Sequence, residues 1–280
     1  MQQNLSIKNS KIGYYGEPGS NTHEAMLSIF DDSNQGIHRD SFEEVFKLVV
    51  DKEVSYAVLP IENTSTGGVN DVLDLLNKYE AYIVGESCLK IEHRLLVLPE
   101  ADIEDIKEVY SHPQGLMQCR QFLSEHKAWK LFNYYNTAKS AQYVKECGSK
   151  EKAAIGNVSA AKLYGLKIIE ENISLSNNNF TRFIIISNKL EYSQDCDKMS
   201  IILKLPHTCG TLYNVIKIIY ESKLNMMKIE SRPIIDHPWQ YSFHIDFEGN
   251  IQDKNVIQAI DKIKEVSSDF RLIGNYRKSV

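Results

Sequence analysis

The residues with the clearest chemical potential stand in the run Asn177-Asn178-Asn179-Phe180-Thr181-Arg182-Phe183-Ile184-Ile185-Ile186, where one hydroxyl and one guanidinium meet the mouth of an apolar strand. A hydroxyl can donate a hydrogen bond to a reacting oxygen, and a guanidinium can neutralise a carboxylate. The three Asn read as loop outside the core, and the β-branched and aromatic run reads as a buried strand. Strand alternation puts Thr181 and Phe183 on one face and Arg182 on the other, so the two polar side chains have different jobs. Taken alone, these residues favour an ordinary strand entrance with a satisfied Arg.

The elements that must position them repeat one device upstream: a strand, a short loop of small polar residues, then an amphipathic helix. The clearest copy has Tyr56 to Ile61 as strand and Glu62-Asn63-Thr64-Ser65-Thr66-Gly67-Gly68 as loop, before a helix with apolar Val69, Val72, Leu73 and Leu76. The other copies are Gly16 to His23, Ser111-His112-Pro113-Gln114-Gly115, Asn136-Thr137-Ala138-Lys139-Ser140 and Gly156-Asn157-Val158-Ser159. Asn, Ser or Thr in such a loop can cap the helix, and the free N–H groups with the macrodipole favour an anion. One copy is only a cap. Five, at the carboxyl ends of parallel strands, suggest a crevice for a small, negatively charged ligand.

Four segments then carry a resemblance: Leu59-Pro60-Ile61-Glu62-Asn63-Thr64, Ser111-His112-Pro113-Gln114, Asn179-Phe180-Thr181-Arg182-Phe183 and Glu230-Ser231-Arg232-Pro233. In that order and spacing they resemble the prephenate dehydratase family over nearly the whole chain. The resemblance implies a cytoplasmic, cofactor-free enzyme of phenylalanine synthesis. Such an enzyme converts prephenate to phenylpyruvate, water and carbon dioxide and is inhibited by L-phenylalanine. It also implies an α/β fold in which a two-lobed, periplasmic-binding-protein-like catalytic domain occupies 11–186. One lobe would hold 11 to about 85 plus 175–186, and the other about 86–174.

Composition is compatible with that reading. A length of 280 residues favours about two domains, and 42% hydrophobic residues supply real cores. The net charge of −5 shows no bias toward nucleic acid or anionic membrane. No apolar run is long enough to span a bilayer, and Met1-Gln2-Gln3-Asn4 lacks the basic start of a secretion signal. Cys88, Cys119, Cys147, Cys196 and Cys209 are scattered and odd in number, which fits free thiols in a reducing compartment. Neither CxxC nor HExxH spacing occurs, so no metal site is expected. The run Gly13 to Gly19 lacks GxGxxG spacing, and Pro18 interrupts it, so a dinucleotide fingerprint is rejected.

Residues 187–198 lose apolar periodicity and gather charge, as a linker does. Beyond it the pattern predicts strand, helix, strand, a turn through Asp236-His237-Pro238, strand, helix and strand. This is the ferredoxin-like βαββαβ order. Over 199–280 it resembles the ACT regulatory module, which implies L-phenylalanine bound between paired copies and hence a homodimer or homotetramer. The effector residues implied are Gly210, Thr211, Leu212, Tyr213, Glu230, Ser231, Arg232 and Pro233. Thr211 and Tyr213 depart from the family's Gly-Ala-Leu-Val, which bears on the identity and strength of the effector. Trp239 and Tyr241 read as an interface patch or as hairpin packing, with packing preferred for Tyr241.

The resemblance assigns catalysis to Thr181, with Glu62 and Arg182 beside it and Glu62 and His112 as rival acids. Arg182 reads either as a carboxylate contact or, slightly better, as a tie between lobes. Substrate contacts fall to Asn63, Thr64, Ser111, Gln114, Thr137, Ser140 and Phe183. Asn21-Thr22 stands where an aromatic and a Ser are usual, which weakens a pocket contact there. The few residues before Ile12 are too short for the chorismate mutase domain fused to some relatives, so mutase activity is not expected. Two alternatives remain open: an arogenate dehydratase, and a non-catalytic protein that binds small anions.

Overall fold

The computed structural model describes residues 8–31, 33–176, 178–234 and 237–279. Asn177, Asp236 and Met1 to Asn4, which entered the sequence reading, lie outside the described residues. The first lobe is built from β1 (Lys11–Tyr15), α1 (Asn21–Ile29), β2 (Gln35–Arg39), α2 (Phe42–Val50), β3 (Tyr56–Asn63), the short β4 (Gly67–Gly68), α3 (Asn70–Lys78) and β5 (Tyr82–Lys90). The second holds β6 (Arg94–Val97), β7 (Glu108–Ser111), α4 (Pro113–Gln118), α5 (Arg120–Glu125), β8 (Lys130–Asn133), α6 (Thr137–Cys147), β9 (Lys152–Gly156), α7 (Val158–Tyr164) and β10 (Lys167–Glu170). The chain then returns as β11 (Phe180–Ser187).

The return strand inserts between β3 and β5, antiparallel to both, in a sheet ordered β5-β11-β3-β1-β2. Pairing of β5 with β11 continues to Lys90↔Phe180, so the chain leaves this lobe after Lys90 rather than near residue 85. The second lobe has its own sheet, ordered β10-β6-β9-β7-β8. Side-chain alternation along β11 divides the first lobe into two cores. Ile184 and Ile186 pack with Phe46, Leu59 and Leu76, whereas Phe183 and Ile185 pack with Ile12, Met26 and Val58. The helices that open on the cleft start at side-chain caps, Ser20 for α1, His112 for α4 and Asn136 for α6, as does α7 at the rim, capped by Asn157.

The C-terminal unit runs β12 (Lys198–Lys204), α8 (Thr211–Glu221), β13 (Met226–Ile234), β14 (His237–Glu248), α9 (Lys254–Val266) and β15 (Asp269–Tyr276), in sheet order β13-β14-β12-β15 with antiparallel pairing throughout. Its sheet continues that of the first lobe, because β15 pairs with β5 at Gly274↔Ile83. Only a glycine fits there, since a Cβ on Gly274 would lie 2.5 Å from the Ile83 carbonyl oxygen. Ile202, Ile273 and Tyr276 of this unit belong to the core that contains Leu76 and Ile184. Arg271 donates to the Leu76 and Ala81 carbonyls at 2.8 and 2.7 Å.

Lys198, which closes the charged stretch read as linker, is a correction: it is fully buried. Its ammonium pairs with Glu86 at 2.7 Å and Asp246 at 3.0 Å, and removal of either carboxylate would strand a buried charge. Tyr241 is 40% exposed, so more than half of it is covered, whereas Trp239 is 78% exposed.

His244 sits at the same junction, 5% exposed, with neither ring nitrogen hydrogen-bonded among the described residues. Burial pushes its pKa down to about 4, against the pull of Asp246 and Asp74, with Lys228 and Arg232 lowering it further. The folded chain therefore binds fewer protons than the unfolded chain between about pH 6.5 and 4, and stability falls as pH drops through that window. The loss should total about 3 kcal/mol, at roughly 1.4 kcal/mol per pH unit. Urea unfolding across that range should show a shallower acid loss for His244→Gln than for the parent chain. Equal slopes would show that His244 does not supply it.

Candidate active site

Thr181 and Asn63 oppose each other across the β11–β3 pair. Asn63 Nδ2 donates to Thr181 Oγ1 at 2.8 Å and to Asn179 Oδ1 at 2.9 Å, which uses both amide hydrogens. Thr181 therefore accepts one bond and keeps its own proton to donate toward the cleft, which it and Phe183 line. Asn63 Oδ1 accepts from the Ser65 and Thr66 backbone N–H groups at 2.8 and 3.2 Å. It thus closes the loop, whereas α3 has no side-chain cap, a correction to the capping expected of this copy.

The cleft between the lobes offers about 300 Å³ of room. Tyr15, Thr22 and Pro60 line it from the first lobe, Ile91 from the crossing that leaves it, and Gln114, Gly115, Gln118 and Thr137 from the second. Among the described lining residues there is no Lys, Arg, Asp or Glu. Positive potential comes instead from helix starts, with Thr22 in the first turn of α1, Gln114 of α4 and Thr137 of α6. Asn21 and Thr22 both line the cleft, so the unusual pair in the first loop is part of it.

The structure separates the other expected site residues. Glu62 and Arg182 are corrected as catalytic groups: they lie on the opposite face of the sheet, 3.3 Å apart, toward the C-terminal unit. Alternation accounts for this, since each follows or precedes a cleft-facing residue. Ser111 and Ser140 are fully buried below the cleft and are corrected as ligands. Ser111 Oγ donates to the Ile155 carbonyl at 3.3 Å and Ser140 Oγ to the Asn136 carbonyl at 2.8 Å. Thr64 donates to the Asn178 carbonyl at 2.8 Å and accepts from the Phe180 N–H at 2.9 Å, so it fastens β11 rather than lining the cleft. His112 lines the cleft and caps α4 through Nδ1.

Two groups were missed from sequence. Asn179 was read as exposed, yet it is 4% exposed and orients Asn63. His93, 5% exposed, lines the cleft and bonds Gln118 Oε1 through Nε2 at 2.7 Å. Burial lowers its pKa, partly offset by that bond, so it is neutral near pH 7 and unsuited to proton donation. Its only local signal is a His just ahead of an apolar strand. Among the described residues, no three His, Cys, Asp or Glu side chains gather as a metal would require. No described helix is long and apolar enough to cross a membrane.

The residues expected to bind an effector lie at one end of the C-terminal sheet, since Arg232 pairs with Ser242 and Ser242 with Lys204. Gly210, at φ 84°, opens α8; Thr211 borders a shallow pocket, Leu212 is half-buried and Tyr213 exposed. Glu230, Ser231, Arg232 and Pro233 alternate along β13. Arg232 forms a two-pronged pair with Asp74 of α3, at 2.8 and 2.7 Å, while Ser231 and Pro233 are exposed.

Contacts also cross the cleft at its rim. Glu17 pairs with Lys139 at 2.8 Å, Asn157 Nδ2 donates to Asn21 at 2.9 Å, and the Tyr164 hydroxyl donates to the Pro18 carbonyl at 3.2 Å. Gly19, at φ 86°, lies flat against α7, where a Cβ would come 3.2 Å from Ala160 Cα. Gly19→Val should therefore part the lobes here, read as a larger radius of gyration in solution scattering. A variant with parental scattering would show that this contact does not hold the lobes together.

A sequence model described as prephenate dehydratase matches residues 12–191. The bifunctional chorismate mutase/prephenate dehydratase of Enterobacter agglomerans is 34% identical over 289 residues, covering 99% of this chain and 73% of that protein. Among solved structures, prephenate dehydratase from Arthrobacter aurescens in complex with L-Phe superposes with a TM-score of 0.86 at 28% identity, covering 96% of this chain and 90% of that one. A structure described as GqqA, a novel type of quorum quenching acylases, gives 0.89 at 26% identity, covering 96% and 98%.

Proposed function

The chain belongs to the prephenate dehydratase family, and on that premise we propose that its cleft carries out the decarboxylative dehydration of prephenate in phenylalanine biosynthesis. The observation that carries this reading is the Asn63–Thr181 pair at the floor of an uncharged, donor-lined cleft. Prephenate has two carboxylates and a ring hydroxyl. Loss of the ring carboxylate as carbon dioxide sends its electrons through the ring, expels the hydroxyl oxygen and leaves an aromatic product. One proton must reach that oxygen to make water.

The substrate supplies most of the driving force, so the protein has to place it, dry the departing carboxylate and donate to the leaving oxygen. Asn63 donates into Thr181 Oγ1, and the Thr181 hydroxyl donates onward to the leaving oxygen. A Thr hydroxyl is too weak an acid to give up its proton outright, so it orients the oxygen and relays a proton from water. Helix starts and amides hold the carboxylates without the tight ion pair that would keep electrons on the group that must leave. Gln114 and Thr137 face Asn63, Thr181 and Phe183 across the bound substrate.

An acylase of the kind named for GqqA would need a base to activate its nucleophile. Thr181 Oγ1 is paired with an amide N–H instead, which favours the dehydratase reading. For arogenate, an ammonium replaces the keto oxygen of prephenate, and comparing turnover of the two at equal concentration decides between them. The C-terminal unit serves as an ACT module that takes L-phenylalanine as inhibitor, and the protein works in the cytoplasm. A homodimer or homotetramer forms through this unit, where edge strand β13 exposes Met227 and Ile229 and α8 exposes Tyr213, Ile216 and Tyr220.

Thr181→Val should lower turnover of prephenate by at least about 10²-fold while leaving substrate binding largely intact. Near-parental turnover would remove Thr181 from the mechanism. Sedimentation should give an oligomer with and without L-phenylalanine, and a monomer under both conditions would count against the effector site.

A further inference from the structure

The rung next to Asn63–Thr181 on the same two strands is Glu62–Arg182, on the far face of the sheet. Glu62 Oε2 is held by two cations at once, Arg182 Nη1 at 3.3 Å and Lys228 Nζ at 3.3 Å. Arg182 belongs to the catalytic lobe. Lys228 reaches across from β13 of the C-terminal unit, with its side chain 14% exposed. Its ammonium nitrogen is buried and makes no aligned hydrogen bond among the described residues. A desolvated cation with so poor a set of bonds is a weak source of stability, and an apolar side chain would fill the same space at lower cost.

The local backbone shows what the contact can do instead. The β11–β3 register is irregular between Arg182 and Phe183, immediately beside this rung. An interrupted ladder fixes strand position less firmly, so the side-chain pairing at Glu62 takes a larger share in setting where Asn63 stands. Asn63 in turn sets the direction of the Thr181 hydroxyl through one 2.8 Å bond, and small errors of aim at a reacting centre lower rate more than binding.

We propose that Lys228 is a positioning residue for the dehydration: by clamping Glu62 against Arg182 it fixes the Asn63–Thr181 pair from behind the sheet. This rests on the reading that the pair serves the departing hydroxyl. The catalytic lobe is then complete only with the C-terminal unit docked on it.

The test uses the full chain and steady-state turnover of prephenate. Lys228→Met should lower kcat about tenfold with KM within about twofold and no loss of melting temperature. Lys228→Arg, which restores the cation, should recover most of that loss. In a Glu62→Gln background the further change Lys228→Met should have little effect, because the lysine acts through that carboxylate. Lys228→Gln takes the same measurements if the Met variant does not fold.

A folded Lys228→Met with parental kcat would overturn the clamp, as would an equal loss in both backgrounds. Thr181→Val is measured alongside. If it keeps turnover, the underlying reading fails and the clamp with it. If it is dead while Lys228→Met is unimpaired, the clamp alone fails.

Discussion

The return of β11 between β3 and β5 is the constraint on which the rest depends. It closes the first lobe after the chain has built the whole second lobe, and it brings Thr181 beside Asn63 across 118 positions of sequence. The same insertion sorts side chains by face. Thr181 and Phe183 go to the cleft, while Arg182 goes to the junction with the C-terminal unit. One strand thereby serves as floor of a ligand site and as wall of a domain junction.

The two faces differ in how they use charge. The cleft has uncharged donors and helix starts among its described lining, suited to an anionic substrate whose charge must move during reaction. Behind it, Glu86, Lys198, Asp246, Glu62, Arg182 and Lys228 form paired groups, fully buried at Lys198 and Glu86 and part-buried at Glu62 and Arg182. Fixed ion pairs there hold backbone in place. In the cleft they would hold electrons in place, which the chemistry cannot tolerate.

The sequence was most informative where function is local. The resemblance rests on short contiguous motifs, and Thr181, Asn63, Gln114, Thr137 and Phe183 do line one cleft. Alternation alone correctly parted Thr181 from Arg182. It was least informative where partners are distant in the chain. Asn179 read as exposed because three polar residues stand together, yet Asn63 and the Ile91 N–H, which it meets at 2.8 Å through its carbonyl, bury it. Ser111 and Ser140 matched a ligand-loop pattern, but Ser111 ties β7 to β9 and Ser140 fastens the start of α6, and Ser111 fits so tightly that a Cβ on Gly115 would lie 2.7 Å from its oxygen. Lys198 looked like linker because its two carboxylates come from remote strands.

The single pairing of Gly274 with Ile83 makes two modules share one sheet. A unit joined only by a tether can be exchanged between proteins by cutting the tether. Here the graft would have to reproduce a side-chain-free crossing, a fully buried ammonium and the hydrocarbon seam of Ile202, Ile273 and Tyr276. Recombination at this boundary is therefore confined to donors that carry the matching surface, and the two halves are bound to drift together through evolution.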